Sequence, residues 1–261
     1  MGVINTTPDS FSDGGQFLNT KAAFKQARKL IEDGADILDI GGESTRPGAQ
    51  KVSVQEELNR TIPVIQGIRQ FSDIPISIDT SKPQVMLAAA DAGVDMINDV
   101  YALQLEGALQ AAAVTKLPVC LMHMQGNPLT MQQNPEYRNV VESVIQFLKL
   151  RISAAQAAGI ERDKLIIDPG FGFGKTLQQN LQLLNSLSDF KVLDLPLLVG
   201  ISRKSMLGLI IDKPVEERLY ASLSAAVIAA QAGADIIRVH DVIETRDALA
   251  VVQALRLADP L

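Results

Sequence analysis

Gly34-Ala35-Asp36-Ile37-Leu38-Asp39 is the stretch on which the fold turns, because the chain repeats it. Gly93-Val94-Asp95-Met96-Ile97-Asn98 and Gly233-Ala234-Asp235-Ile236-Ile237-Arg238 keep the same order, and a looser copy runs from Gly159 through Lys164-Leu165-Ile166-Ile167-Asp168. Each copy follows an Ala-rich amphipathic segment, so its glycine reads as a helix C-cap. The short apolar run after the glycine reads as a buried parallel strand. Each run ends in a polar residue: Asp39, Asn98, Asp168 or Arg238. The intervals between the glycines leave room for two βα units apiece.

Working outward, the intervening strands fall at Gly2–Asn5, Pro75–Asp79, Pro118–Met122 and Pro196–Gly200. The full expectation is strands over about residues 2–5, 37–40, 75–79, 96–98, 118–122, 165–168, 196–200 and 236–239. Helices follow over about 19–33, 53–71, 83–92, 105–115, 138–158, 178–187, 215–232 and 242–257. Such a succession matches an α/β fold of the (βα)8 TIM-barrel type, with a doubly wound sheet as the competitor. No linker or shift of composition marks a second domain, so residues 1–261 read as a single barrel domain. Parallel strands of a barrel end at one face, so Asn5, Asp39, Asp79, Asn98, His123, Asp168 and Arg238 are expected to ring one cavity. A charge at the end of a buried strand is costly unless it meets a partner or a ligand.

Composition narrows the function classes. The 24 Lys and Arg against 30 Asp and Glu leave a net charge of −6, which argues against a nucleic-acid or anionic-membrane surface. A single cysteine excludes a disulfide framework, and Cys120 in its apolar run reads as core packing. No apolar run reaches the ~20 residues of a membrane span. The N-terminus lacks a signal-peptide pattern. A cytoplasmic, soluble protein is the expectation.

The loops carry the chemistry. After the second strand, Gly41-Gly42-Glu43-Ser44-Thr45-Arg46-Pro47-Gly48 supplies hydroxyls and a guanidinium beside freed backbone, suited to a dense anion. Asn5 leads into a long polar loop, Thr6 to Gly15, with one aromatic, Phe11. Asp79-Thr80-Ser81-Lys82-Pro83 places Ser81 as N-cap and Pro83 in the first helical turn. Asp79, Asn98 and Asp168 together suit a flat heterocycle with adjacent N–H donors. Asp168-Pro-Gly-Phe-Gly-Phe-Gly-Lys175 lacks P-loop spacing, so its glycines read as room for backbone to approach a flat ligand, with Phe173 as a wall. Arg238 and His240 share a strand face and, with Arg46, form a basic cluster where barrels commonly bind phosphate. Lys204 reads either as a Schiff-base lysine or as a loop charge. Neither His123 nor His240 sits in a close ligand cluster, which favours Mg²⁺ held by phosphate oxygens and a side-chain amide over zinc.

The sequence resembles the dihydropteroate synthase family along nearly its whole length. Met1 to Gly15 is similar to the family's first signature, Ile40 to Gly48 to its second, and Asp168–Lys175, Ser202-Arg203-Lys204-Ser205 and Arg238-Val239-His240-Asp241 to further segments. The resemblance implies condensation of 6-hydroxymethyl-7,8-dihydropterin diphosphate with 4-aminobenzoate, releasing pyrophosphate in folate synthesis. It implies catalysis by Asp79, Lys204, Arg238 and His240. Asp79, Asn98, Asp168 and Lys204 would hold the pterin, with Met122 and Phe173 lining its slot. Asn5, Arg46, Arg238 and His240 would meet the diphosphate and its Mg²⁺, with Asn5 as the metal ligand. Phe11, Thr45, Pro47, Lys204 and Ser205 would shape the 4-aminobenzoate pocket, the one sulfonamides occupy. A homodimer is implied as well. The family usually carries residues, often a small β-hairpin, ahead of the first strand. Here that strand starts at Met1, so the expectation is either a barrel without the hairpin and with an open floor, or a sequence truncated ahead of that strand.

Two other readings remain at this point. A pterin-dependent methyltransferase would use the Asp/Asn/Asp set without needing Ser44-Thr45-Arg46 or Arg238 and His240. A catalytically silent pterin-binding homologue would be expected to lose loop residues.

Overall fold

The computed structural model describes residues 1–6, 16–44, 49, 51–126, 131 and 135–258. Its strands are β1 Gly2–Asn5, β2 Leu38–Gly41, β3 Ile76–Asp79, β4 Met96–Asp99, β5 Val119–Met122, β6 Leu165–Asp168, β7 Leu198–Val199 and β8 Ile236–Ile237. The helices are α1 Gln16–Glu32, α2 Val54–Arg69, α3 Pro83–Asp91, α4 Ala108–Thr115, α5 Val140–Ala157, α6 Leu177–Asn185, α7 Ser205–Ile211, α8 Leu219–Gln231 and α9 Val242–Leu257. Every strand pairs in parallel with its neighbour in sequence, β1 to β6 in one sheet and β7 with β8 in another. Bridges Ile167–Leu197 and Gly2–Val239 join the two sheets. Val3 N donates to Val239 O over 3.1 Å and Val239 N to Met1 O over 2.9 Å, which closes the TIM barrel.

The repeated glycines do what the sequence pattern requires. Gly34, Gly93, Gly159 and Gly233 have φ of 88°, 97°, 95° and 106°, a region that costs glycine nothing. After each one the next residue's N–H reaches back five positions, as in Val94 N to Ala89 O at 3.1 Å and Ala234 N to Ala229 O at 3.0 Å. These bonds satisfy orphan carbonyls at the helix end and turn the chain into the following strand. The aspartate two residues on has its own use. Asp95 Oδ2 accepts from Ile76 N, and Asp235 Oδ2 from Leu197 N, both at 2.8 Å, tying each incoming strand to its neighbour.

Alternation along the strands divides the apolar side chains into two sets. Ile4, Leu38, Ile40, Ile76, Ile78, Ile97, Val119, Leu121, Leu165, Ile167 and Val199 face outward and are buried beneath the helices. Met1, Met96, Cys120, Ile166 and Leu198 face inward and fill the lower barrel. Several details differ from the sequence reading, among them β7 and β8, which are two residues each where 196–200 and 236–239 were expected. Helix α7, Ser205–Ile211, was not expected, and its Met206 and Leu207 are buried. Ser81 is not the N-cap of α3: Lys82 holds that position, and the Ser81 hydroxyl donates to Asp99. Pro83 occupies the first helical position as expected, where its missing N–H costs no helical hydrogen bond. No helix among the described residues is long and apolar enough to cross a membrane.

Candidate active site

The alternation that buries Met96 and Cys120 also turns Asn5, Asp39, Asp79, Asn98, Met122, Asp168 and Arg238 toward the barrel axis. Gly41 pairs with both Asn5 and Asp79, so Asp39, two residues earlier on β2, lies a layer deeper. Asp39 is 0% exposed. Arg238 reaches across to both carboxylates, with Nε 2.6 Å from Asp39 Oδ2 and Nη2 2.9 Å from Asp79 Oδ2. Asn98 Nδ2 lies 3.4 Å from the same Asp39 oxygen.

Electrostatics follow from this crowding. Burial, and then the Asp39 charge, push the Asp79 carboxyl up to about 7, against the pull of Arg238. Burial alone would lower the Arg238 guanidinium, but Asp39 and Asp79 outweigh it and hold it above its ordinary value. Burial raises Asp168, opposed by the Lys204 charge and by the Gly170 N–H that donates to Asp168 Oδ1 over 2.7 Å. Lys204 is pushed down to about 8 by burial, against Asp168. Its ammonium donates to Phe171 O and stands 4.5 Å from the centroid of the Phe173 ring. Met122 packs with Val100, Met124 and Met131, and Phe173 and Tyr101 join this apolar patch at the mouth.

At the rim, His240 is exposed, with Nδ1 3.0 Å from Ser202 Oγ, and Ser202 Oγ also accepts from His240 N over 3.2 Å. Ser205, exposed, opens α7 directly after Lys204. Phe11, Thr45, Arg46 and Pro47 lie outside the described residues. The roots of their loops are described. Thr6 donates twice to Gly41 O, from N over 2.8 Å and from Oγ1 over 3.0 Å. Lys82 pairs with Glu43 and with buried Glu57, and Arg60 donates to Gly42 O over 3.0 Å.

His123 is the strand-end residue that does not join the ring. One step beyond Met122, it has the outward parity, and its imidazole packs edge-on against Phe147 of α5 at 4.8 Å. Burial pushes it down to about 2, so it is neutral. Its Nδ1 lies 3.0 Å from Lys175 Nζ, which also donates to the carbonyls of Gly170 at 2.7 Å and Phe173 at 2.9 Å. Burial holds that lysine well below its usual value. Asn180 of α6 completes the loop, accepting from Gly172 N at 2.8 Å and donating to Thr176 O at 2.8 Å. The glycines of 170–174 therefore serve packing as much as ligand approach. At Gly170, φ is 70° and a Cβ would lie 1.9 Å from His123 O.

Sequence reasoning placed Asp39 at the rim and gave Lys175 and Asn180 no part. The parity of Asp39 with Gly41 could have located it a layer down. Nothing local announces the Lys175 cage, because its acceptors come from two different strands' ends.

A cavity of about 170 Å³ opens beside Asp79, lined also by Glu43, Lys51, Lys82 and Tyr101. A larger one, about 890 Å³, lies between α5 and α6 and is lined by Tyr137, Asn139, Thr176 and Gln179. It includes none of the inward strand residues, so the chemistry is assigned to the barrel mouth.

Comparison with known proteins identifies the family. The family described as "Pterin binding enzyme" matches residues 1–240. The dihydropteroate synthase of Haemophilus influenzae is 54% identical over 254 residues, covering 97% of this chain and 92% of the relative. That of Escherichia coli K12 is also 54% identical, covering 97% and 90%. Among solved structures, a Yersinia pestis dihydropteroate synthase with a sulfonamide drug complex superposes with a TM-score of 0.95 at 52% identity, over 99% of this chain and 94% of that one. The Xanthomonas albilineans enzyme in complex with 7,8-dihydropteroate gives 0.91 at 48%, over 100% and 94%.

Proposed function

Because this chain belongs to the pterin binding enzyme family, as one of its dihydropteroate synthases, we propose that its barrel mouth joins 6-hydroxymethyl-7,8-dihydropterin diphosphate to 4-aminobenzoate. The products are 7,8-dihydropteroate and pyrophosphate, a transferase step of folate biosynthesis. The observation that carries this assignment of roles is convergence: Asp79, Asn98, Asp168, Lys204 and Arg238 come from five βα units and meet at one end of the barrel.

Each group has a chemical task. The carboxylates of Asp79 and Asp168 and the amide of Asn98 accept from and donate to the pterin edge, since adjacent N–H groups pair bidentately with a carboxylate. Met122 and Phe173 cover the ring faces, and Lys204 donates to the ring from above Phe173. Arg238 and His240, with Arg46, take the diphosphate. Phe11, Thr45, Pro47, Lys204 and Ser205 form the 4-aminobenzoate pocket.

The displacement is dissociative. The C–O bond at the exocyclic methylene breaks first, and its electron pair leaves with pyrophosphate. The electron-rich dihydropterin stabilises the resulting cation, and the carboxylate of Asp79 beside it adds electrostatic stabilisation. The neutral arylamine then forms the C–N bond, and the acidic proton of the new ammonium is lost without a strong base. Preorganised guanidinium groups act where charge develops on the departing oxygens. Holding both partners in line supplies the remaining advantage.

Mg²⁺ suits the residues present. Asn5 Oδ1 and Asp79 Oδ2 lie 3.8 and 3.7 Å from the point where Gly41 would carry a Cβ, so hard oxygen donors flank a bare glycine. Asn5 would hold the ion with diphosphate oxygens. Bound there, it would neutralise the leaving group.

A homodimer is supported by apolar side chains exposed on successive elements: Leu209 and Ile210 on α7, Tyr220 and Ile228 on α8, Val251 and Leu255 on α9. A cytoplasmic location is supported by the single cysteine, which fits a reducing compartment, and the acidic charge of −6 argues against a nucleic-acid or membrane partner. The test of the activity is a coupled pyrophosphate assay, with turnover expected only when both substrates are present. No 7,8-dihydropteroate formed when both substrates are present would overturn the reading.

A further inference from the structure

Asp39 stands beneath the site with no substrate contact in the roles given above. It is fully buried, its Oδ2 accepts from Arg238 Nε at 2.6 Å and from Asn98 Nδ2 at 3.4 Å, and its Oδ1 has no hydrogen-bond partner among the described residues. A buried carboxylate with one oxygen unpartnered is costly unless a cation compensates it, and Arg238 is that cation. The contact is to Nε, whose single N–H lies in the guanidinium plane. Holding it fixes the rotation of the plane and so aims the fork that reaches Asp79. The same oxygen orients the Asn98 amide.

We propose that Asp39 is a positioning residue of the reaction: through Oδ2 it aims the Arg238 guanidinium at the departing diphosphate and the Asn98 amide at the pterin, touching neither substrate. The proposal depends on Arg238 serving the diphosphate, as assigned above. Removing a buried negative charge would by itself strengthen attraction for an anionic substrate. A positioning role is therefore read in turnover per binding site, not in affinity. A merely structural role would lower the number of sites and leave turnover per site unchanged.

The experiment compares Asp39→Asn, Arg238→Gln and the double variant. Sites are counted by calorimetric titration with pterin diphosphate, and turnover is measured by pyrophosphate release. Asp39→Asn is expected to lose about 10²-fold in turnover per titrated site, the scale of a misplaced reacting group. In the Arg238→Gln background the same change should cost no more than about tenfold, because only the route through the Asn98 amide remains and coupled residues are not additive. Wild-type turnover per site in Asp39→Asn, with Arg238→Gln impaired, overturns this inference alone, and so do losses that multiply in the double variant. Wild-type turnover in Arg238→Gln overturns the diphosphate assignment and the inference with it. Should Asp39→Asn alone not fold, the comparison of the double variant with Arg238→Gln decides, since it buries no guanidinium that has lost one of its two carboxylates.

Discussion

Arg238 Nη2 lies 2.9 Å from Asp79 Oδ2, so the group assigned to the diphosphate and a group assigned to the pterin are hydrogen-bonded to each other. With Asp39 on Nε, the guanidinium balances two carboxylates at once. On the proposed assignment one cation serves the stability of the barrel mouth as well as its chemistry, and its loss should be felt in both.

Arg238→Ala should lose at least about 10²-fold in turnover, the usual cost of removing one donor to a developing anion. It should also be destabilised by about 3 kcal/mol, because Asp39 is left as an uncompensated buried charge. Pyrophosphate release and urea unfolding measure the two effects. A variant that is inactive but as stable as the parent would contradict the paired-charge account.

The pH profile should be bell-shaped and narrow. Asp79, held up to about 7, must ionise to accept from the pterin, and Lys204, held down to about 8, must keep its proton to donate. The acid limb of kcat/KM for pterin diphosphate is expected near 7 and should be absent in Asp79→Asn. For stability the sign is opposite. The folded state binds the Asp79 proton more tightly than the unfolded chain, so its contribution declines as pH rises from the ordinary carboxylate value, 3.8, to about 7. Denaturant midpoints taken across that window test the second statement.

His123 acts in the other direction. Its folded value of about 2 lies below the ordinary 6.5, so its contribution is complete above pH 6.5 and is lost progressively as pH falls. His123→Gln can still accept from Lys175, and its acid unfolding should therefore set in at lower pH than the parent's. An unchanged acid midpoint would remove His123 from the account of acid stability.

Two glycines separate conformation from crowding. Gly159→Ala meets nothing within 4 Å among the described residues but keeps φ at 95°, and should cost about 1 kcal/mol. At Gly170 the φ of 70° combines with the clash against His123 O, so Gly170→Ala should cost at least about 2 kcal/mol more. Thermal melts of the two variants would show equal losses if crowding of the loop after β6 were unimportant.

Tyr220→Glu and Ile228→Glu place charges on the exposed face of α8. If α7 to α9 form the dimer interface, both should convert the protein to a monomer in light scattering while the fold survives. A dimer that persists in both variants would move the interface elsewhere.

Much of the site was legible before the fold. The strand-end positions of Asp79, Asn98, Asp168 and Arg238 follow from period-two alternation in short apolar runs, and all four turn inward. His123 was misplaced by one residue: the strand's inward position is Met122, and the next side chain points out to α5. A single step reverses the face, and a sequence pattern does not locate a strand's last residue that finely. The Lys175 cage was invisible because its acceptors, at Gly170, Phe173 and His123, are backbone and imidazole groups that carry no residue-type signal for a buried lysine.

By itself the sequence determined the number, order and direction of the βα units, since a glycine at the helix end and an apolar run after it are local features that fold the same way wherever they occur. It also determined which faces of the strands are apolar. Tertiary structure alone decided that Arg238 meets Asp39, 199 residues away, because that contact exists only once Val3 and Val239 pair and the barrel closes. Local patterns select each element, but which charges neutralise one another depends on where closure brings them.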